Sequence, residues 1–119
     1  MPRILRGPRD EAGERIVRFA LESFERPDVR KRGVIVLRTA ISGKLTAPLV
    51  KGFLSRELLP RIAAELDAPD AALRASLVAS QIAGMLIARY VVQLPGIADA
   101  PVDELVARIA PTVQRYLFD

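Results

Sequence analysis

From Glu11 onward, apolar residues recur at three- and four-residue spacing, the period of helices rather than strands. Ile16, Phe19, Ala20 and Phe24 define one side of a first helix. Glu14, Arg15, Arg18, Glu22 and Glu25 lie elsewhere on its wheel, and Pro27 ends it. Asp28 is the expected N-cap of a second helix. Within that helix the run Gly33-Val34-Ile35-Val36-Leu37 is β-branched enough to read as a strand. No second strand is on offer to pair with it, so helix is the preferred reading, ending at Ser42-Gly43. Thr46 can cap a third helix with Pro48 in its first turn. Val50, Leu54, Leu58, Ile62 and Leu66 follow every four residues, with Phe53 beside them, and Pro60 is expected to make the segment one bent helix or two short ones. A fourth helix opens after Asp67-Ala68-Pro69 and a fifth after Asp99-Ala100-Pro101, and Pro95-Gly96 closes the fourth. Val102, Leu105, Val106, Ile109, Val113, Tyr116 and Leu117 share one side of the fifth, which Pro111 should bend. The pattern predicts an all-α bundle of five to six helices over residues 11–119, behind a basic arm or linker at 1–10.

The fourth helix departs from ordinary amphipathicity. From Asp70 to Leu94 it would run roughly 37 Å. Val78, Ile82, Leu86 and Tyr90 form one row, and Ala75, Ala79, Ala83, Ile87 and Val91 a second. Ser76, Ser80, Gly84 and Ala88 form a third row of small residues. A helix apolar on every face must be covered on every face, and a five-helix domain covers about two. The remaining side calls for another chain, because monomers avoid large exposed apolar patches. The fifth helix is also wider in its apolar face than one neighbour needs. Two such helices per subunit make a four-helix bundle across a two-fold axis. The expected homodimer interface comprises Ser80, Ala83, Gly84, Ile87, Ala88, Val91, Val113, Tyr116 and Leu117. The rival reading is a monomeric helical module that offers this surface to a different protein.

Composition narrows the chemistry. The 119 residues include neither Cys nor His, which removes disulfides, thiolate chemistry, the usual general base and the commonest metal ligand. Glu57, Glu65 and Glu104 are isolated and the glycines scattered, so neither an enzyme nor a cofactor site is expected. The net charge is +4, but its excess is local to Arg3, Arg6, Arg9 and Arg30-Lys31-Arg32. No basic stripe follows for tracking phosphates, and the second cluster reads as a solvated face. The N-terminus lacks the apolar stretch of a signal peptide. The most apolar run, between Arg74 and Arg89, is too short for a membrane span of roughly 20 residues. A soluble, cytoplasmic protein is expected, with no membrane partner.

The words Thr46-Ala47-Pro48-Leu49-Val50, Phe53-Leu54 and Glu57-Leu58-Leu59-Pro60 resemble the C-terminal region of tetracycline-repressor-family (TetR) transcriptional regulators. So do Leu73 to Gln81, Ala88 to Val91 and the tail from Asp103 to Leu117, and the similarity runs from about Glu14 to Phe118. The resemblance implies the effector-sensing and dimerisation domain of a repressor, with the last two long helices forming the dimeric bundle. It also implies a pocket for a small-molecule effector of unknown identity. Only about a dozen residues precede the first helix, so the family's helix-turn-helix is missing. The chain then reads as a fragment that meets DNA only through that absent head.

Gln81, Met85 and Arg89 are the candidates to face this pocket, with aromatic walls from Phe19, Phe24 and Phe53. The structural alternative pairs Arg89 with Glu22 or Glu57 and Gln81 with a neighbouring helix, since buried polar groups require partners.

Overall fold

The computed structural model describes residues 7–42, 48, 51–52, 55–56, 59–64, 66 and 68–118. A single 3₁₀ turn, Arg9–Glu11, leads into α1 (Ala12–Glu25), whose Ala12, Gly13, Ile16, Val17 and Leu21 are buried at helical spacing. Arg26 is extended (φ −77°, ψ 123°), as the residue before a proline must be. Pro27 then becomes the first residue of α2 (Pro27–Ser42). Asp28 therefore stands inside the first turn instead of capping it, with its carboxylate 3.6 Å from Arg26. There its charge still suits the positive end of the helix.

The β-branched run 33–37 is helical, and among the described residues no strand occurs. Gly33 has a packing reason: a Cβ there would stand 2.3 Å from Phe24 Cζ, so its absence admits the ring. Val34 and Leu37 pack against the core, whereas Ile35, Val36 and Ile41 face outward. The α2 helix ends at Ser42, with Gly43 outside the described residues. Thr46, Val50, Phe53, Leu54, Glu57 and Leu58 also lie outside them. Pro60 occupies the first turn of a short helix, α3 (Leu59–Ala64), where its missing amide has no intrahelical partner to lose.

The fourth helix, α4, runs from Ala71 to Leu86 and widens into a π turn over Ile87–Val91. Within the widening, the Val92 amide donates to Ile87 five residues back at 2.8 Å. Gln93 (φ 58°) then breaks the helix, and Gly96 (φ 94°) completes the reversal in a conformation that favours glycine. The helix is thus slightly shorter than its sequence pattern suggests. At its start Asp70 makes no side-chain cap, because its carboxylate is engaged by Arg74 Nε at 2.9 Å. The last helix, α5 (Val102–Phe118), begins directly after Pro101 and continues through Pro111.

The core lies where α1, α4 and α5 meet, and Val17, Leu21, Val78, Val113 and Leu117 are its largest fully enclosed side chains. The most extensive helix pair is α1 with α5. Gly13 permits their closest approach: a Cβ there would lie 2.6 Å from the Ala110 carbonyl oxygen and 2.7 Å from the Gln114 nitrogen. Gln114 fastens this crossing, accepting from Gly13 N–H at Oε1 and donating through Nε2 to the Arg9 carbonyl, both at 2.8 Å. Midway along α1, Arg18 bonds Asp103 at 2.8 Å and lies near Glu14 and Glu22.

One expectation about membranes changes. The continuous helical stretch Ala71–Val91 spans 21 residues and is, by length and composition, apolar enough to cross a bilayer. Only 22% of its most apolar window is buried within the chain. An apolar helix that its own chain covers only in part is also what an unpaired protein interface looks like.

Candidate functional site

Two features stand out: an uncharged outer face on α4 and a polar cleft at that helix's C-terminal end. The face follows from where α4 directs its two cations. Ala75, Val78, Met85 and Leu86 turn into the core, and both arginines turn with them. Arg74, with a side chain 21% exposed, donates to Asp70 and, through Nη1, to the Tyr116 carbonyl at 3.0 Å. Arg89 is buried outright. Between them no charged residue occurs, so the opposite side of α4 presents Leu73, Ser76, Ser80 and Gly84 to the exterior without charge. Ser76 and Ser80 turn their hydroxyls back onto the carbonyls of Ala72 and Leu77, leaving a smooth surface. A Cβ added at Gly84 would meet nothing within 4 Å, so this smallest residue leaves space that the chain itself does not fill.

Of the nine residues expected at a dimer interface, Ser80 and Gly84 are exposed, and Ala83, Ile87, Ala88, Val91 and Tyr116 are half-buried. Val113 and Leu117 do not belong with them. Both are enclosed in the chain's own core, on the side of α5 that meets α1, and have no surface to offer a partner.

The described residues among the six expected around an effector pocket are scattered. Phe19 is exposed, Met85 is buried in the core, Gln81 is half-buried and Phe53 lies outside the described residues. Phe24 packs its ring 5.2 Å from that of Tyr90. Of the five that are described, Arg89 alone lines the polar cleft, an open hollow of about 450 Å³. Glu25, Arg30, Tyr90, Gln93 and Asp99 complete its polar lining.

Arg89 anchors this end of the molecule. Its Nη1 donates to the carbonyls of Ile97 at 2.7 Å and Ala100 at 2.8 Å, with Ala98 more distant at 3.4 Å. These bonds hold the turn before α5 against the π turn of α4. Nη2 lies 3.6 Å from Glu25 Oε2, and Nε is buried without an acceptor among the described residues. The Tyr90 hydroxyl donates to the same Glu25 oxygen at 2.7 Å. Burial, and then the bond to Glu25, raise the phenol above its ordinary pKa, so it remains a proton donor.

Arg89 therefore does face a carboxylate, as the alternative reading required, but it is that of Glu25; Glu22 lies against Arg18 instead, and Glu57 is outside the described residues. Leu21 and Glu25 share a face at four-residue spacing, whereas Glu22 is turned about 100° from Leu21. That spacing was the available signal. Arg30, Gln93 and Asp99 carried no comparable signal, because α2, the π turn and the turn before α5 come together only in three dimensions.

The family model for the tetracyclin repressor-like C-terminal domain matches residues 10–117. The chain belongs to this family. Its fold is similar to the crystal structure of a TetR-family regulator from Streptomyces coelicolor A3. That structure is 28% identical with a TM-score of 0.68, covering 98% of this chain and 77% of the other. No curated protein matches the chain. TetR-family regulators are non-enzymatic transcription factors that typically form dimers and bind small-molecule effectors and DNA. This TetR-family domain thus corresponds to a regulator's effector-binding and dimerisation region.

Proposed function

We propose that this chain is the regulatory domain of a soluble, cytoplasmic TetR-family repressor, forming a homodimer through the outer face of α4 and the adjoining side of α5. It responds to a small-molecule effector, and DNA recognition belongs to a helix-turn-helix outside these 119 residues. The inward turn of Arg74 and Arg89 carries the reading. Soluble helices normally keep their charges in water and their apolar side within. In α4 the charges are spent on internal carbonyls and carboxylates, leaving a charge-free stripe about 22 Å long from Ser76 to Val91. Its small residues permit close approach of a second helix, and Tyr116 and Ile109 extend the half-buried surface onto α5.

Charge insertion tests the assignment. In sedimentation velocity, Gly84→Glu should convert a dimer into folded monomer or abolish folding, because an uncompensated charge buried in an interface costs several kcal/mol. Ile41→Glu, on the exposed side of α2, should leave the dimer intact. A dimer indifferent to Gly84→Glu would place the interface elsewhere. A wild-type monomer would favour the rival reading, in which this face receives a different protein.

A further inference from the structure

In the polar cleft, Glu25 resembles a ligand carboxylate tethered to the chain. It sits on two buried donors, the Tyr90 hydroxyl at 2.7 Å and Arg89 Nη2 at 3.6 Å. The second contact is long, and the guanidinium is only partly satisfied. Nη1 is consumed by the turn carbonyls, but Nε, with Arg89 about nine-tenths buried, has no acceptor among the described residues. Nε and Nη2 make up the side-on edge with which arginine grips a carboxylate through two parallel hydrogen bonds. Here one nitrogen of that edge is poorly paired and the other unpaired, an unfavourable arrangement for a buried cation. Glu25 itself has a side chain 44% exposed, so it can swing into water at small cost.

The rest of the cleft describes what could replace it. Arg30 adds a second cation to the wall, and Asp99 an exposed anion with Gln93 nearby. The hollow, about 450 Å³, lies within the usual range for small-molecule sites of roughly 300–1,000 Å³. We propose that this cleft binds a small organic carboxylate, which takes the place of Glu25 on Arg89 and Tyr90 while an amino or hydroxyl donor on the same molecule faces Asp99. The assignment rests on the reading of the chain as an effector-binding domain and gives that effector a chemical class. It also gives Glu25 a role: an internal competitor that sets how much ligand is needed.

Solution NMR of the ¹⁵N-labelled full chain tests this through the Arg89 Nε–H resonance, using as probes para-aminomethylbenzoate and its primary carboxamide, which keeps the ammonium group but lacks the carboxylate charge. The carboxylate should shift this resonance saturably and bind at least about tenfold more tightly than the amide, since only the charged group satisfies the side-on edge. Glu25→Gln should tighten carboxylate binding about five- to tenfold by weakening the competitor, and Arg30→Gln should loosen it severalfold. Tyr90→Phe, which keeps the ring, should weaken binding without abolishing the fold. Equal affinity for the two probes, an unmoved Arg89 resonance, no binding at millimolar concentration, or no gain from Glu25→Gln would each overturn the proposal. Those failures leave the dimer mass untouched. A thermal-shift response to neutral apolar compounds would then preserve the regulatory-domain reading while removing the carboxylate site.

Discussion

Substituting Gly13 by alanine should destabilise the fold far more than one methyl group suggests. The added Cβ would lie 2.6 Å from the Ala110 oxygen, 2.7 Å from the Gln114 nitrogen and 3.0 Å from the Gln114 Cα. All three are backbone atoms of α5, so no side-chain rotation relieves the clash and the two helices must separate. Overpacking of this kind costs about 1–3 kcal/mol, and an immovable backbone neighbour puts it at the upper end. Separation also stretches the 2.8 Å bond from Gly13 N–H to Gln114, worth about 0.5–1.5 kcal/mol. Against these losses, alanine gains at most about 1 kcal/mol of helix propensity. The net loss is about 2–3 kcal/mol, or a Tm lower by roughly 8–12 °C at about 4 °C per kcal/mol for a domain of this size. Thermal denaturation followed by circular dichroism at fixed protein concentration measures it. Gln114→Ala supplies the control, because it removes the amide bridge but leaves the backbone approach intact, and should cost about 1–2 kcal/mol. A Gly13→Ala melting point within about 2 °C of wild type would refute the claim that backbone contact governs this crossing.

Other outcomes follow from the same contacts. Arg89→Ala should cost about 2–3 kcal/mol in urea unfolding, because it strips the carbonyls of the 97–100 turn of their charged donor. The raised pKa of Tyr90 stabilises the fold fully below the ordinary phenol value of about 10, and that contribution is lost as pH rises through the folded value. Tyr90→Phe should therefore flatten the alkaline fall in urea midpoint. The hydrogen bond from Arg74 holds Asp70 below its ordinary carboxylate pKa, so its contribution is present above that range and disappears as pH falls through the lowered value. Asp70→Asn should reduce melting temperature at neutral pH and converge with wild type in acid. Gly84→Ala should raise stability by up to about 1 kcal/mol in a lone chain, but weaken self-association where a second helix packs against that position.

Much of the architecture was legible in the residue pattern because its punctuation is local. Pro27 ends one helix and opens the next, Pro101 opens the last, and Pro95-Gly96 forces a reversal, all through restrictions on their own backbone or their neighbours'. The run 33–37 was ambiguous because β-branched residues suit either state. Helix prevails because its backbone groups are satisfied within the segment. Which face of α4 meets what was not legible. A helix apolar all round has no phase, and its two arginines look like markers of the solvent side until their long stems are seen to carry the guanidinium groups to internal carbonyls. The same ambiguity placed Val113 and Leu117 at an interface. The apolar surface of α5 is two adjoining faces, and these residues belong to the one filled by α1. The cleft was least visible, since Glu25, Arg30, Arg89 and Asp99 converge from segments far apart in the chain.

If a second copy of the chain covers the charge-free side of α4, multi-angle light scattering of the wild-type protein across micromolar concentrations should give a mass twice the 13.0 kDa of the chain. A mass that stays at the single-chain value throughout this range would mean that no second copy sits there.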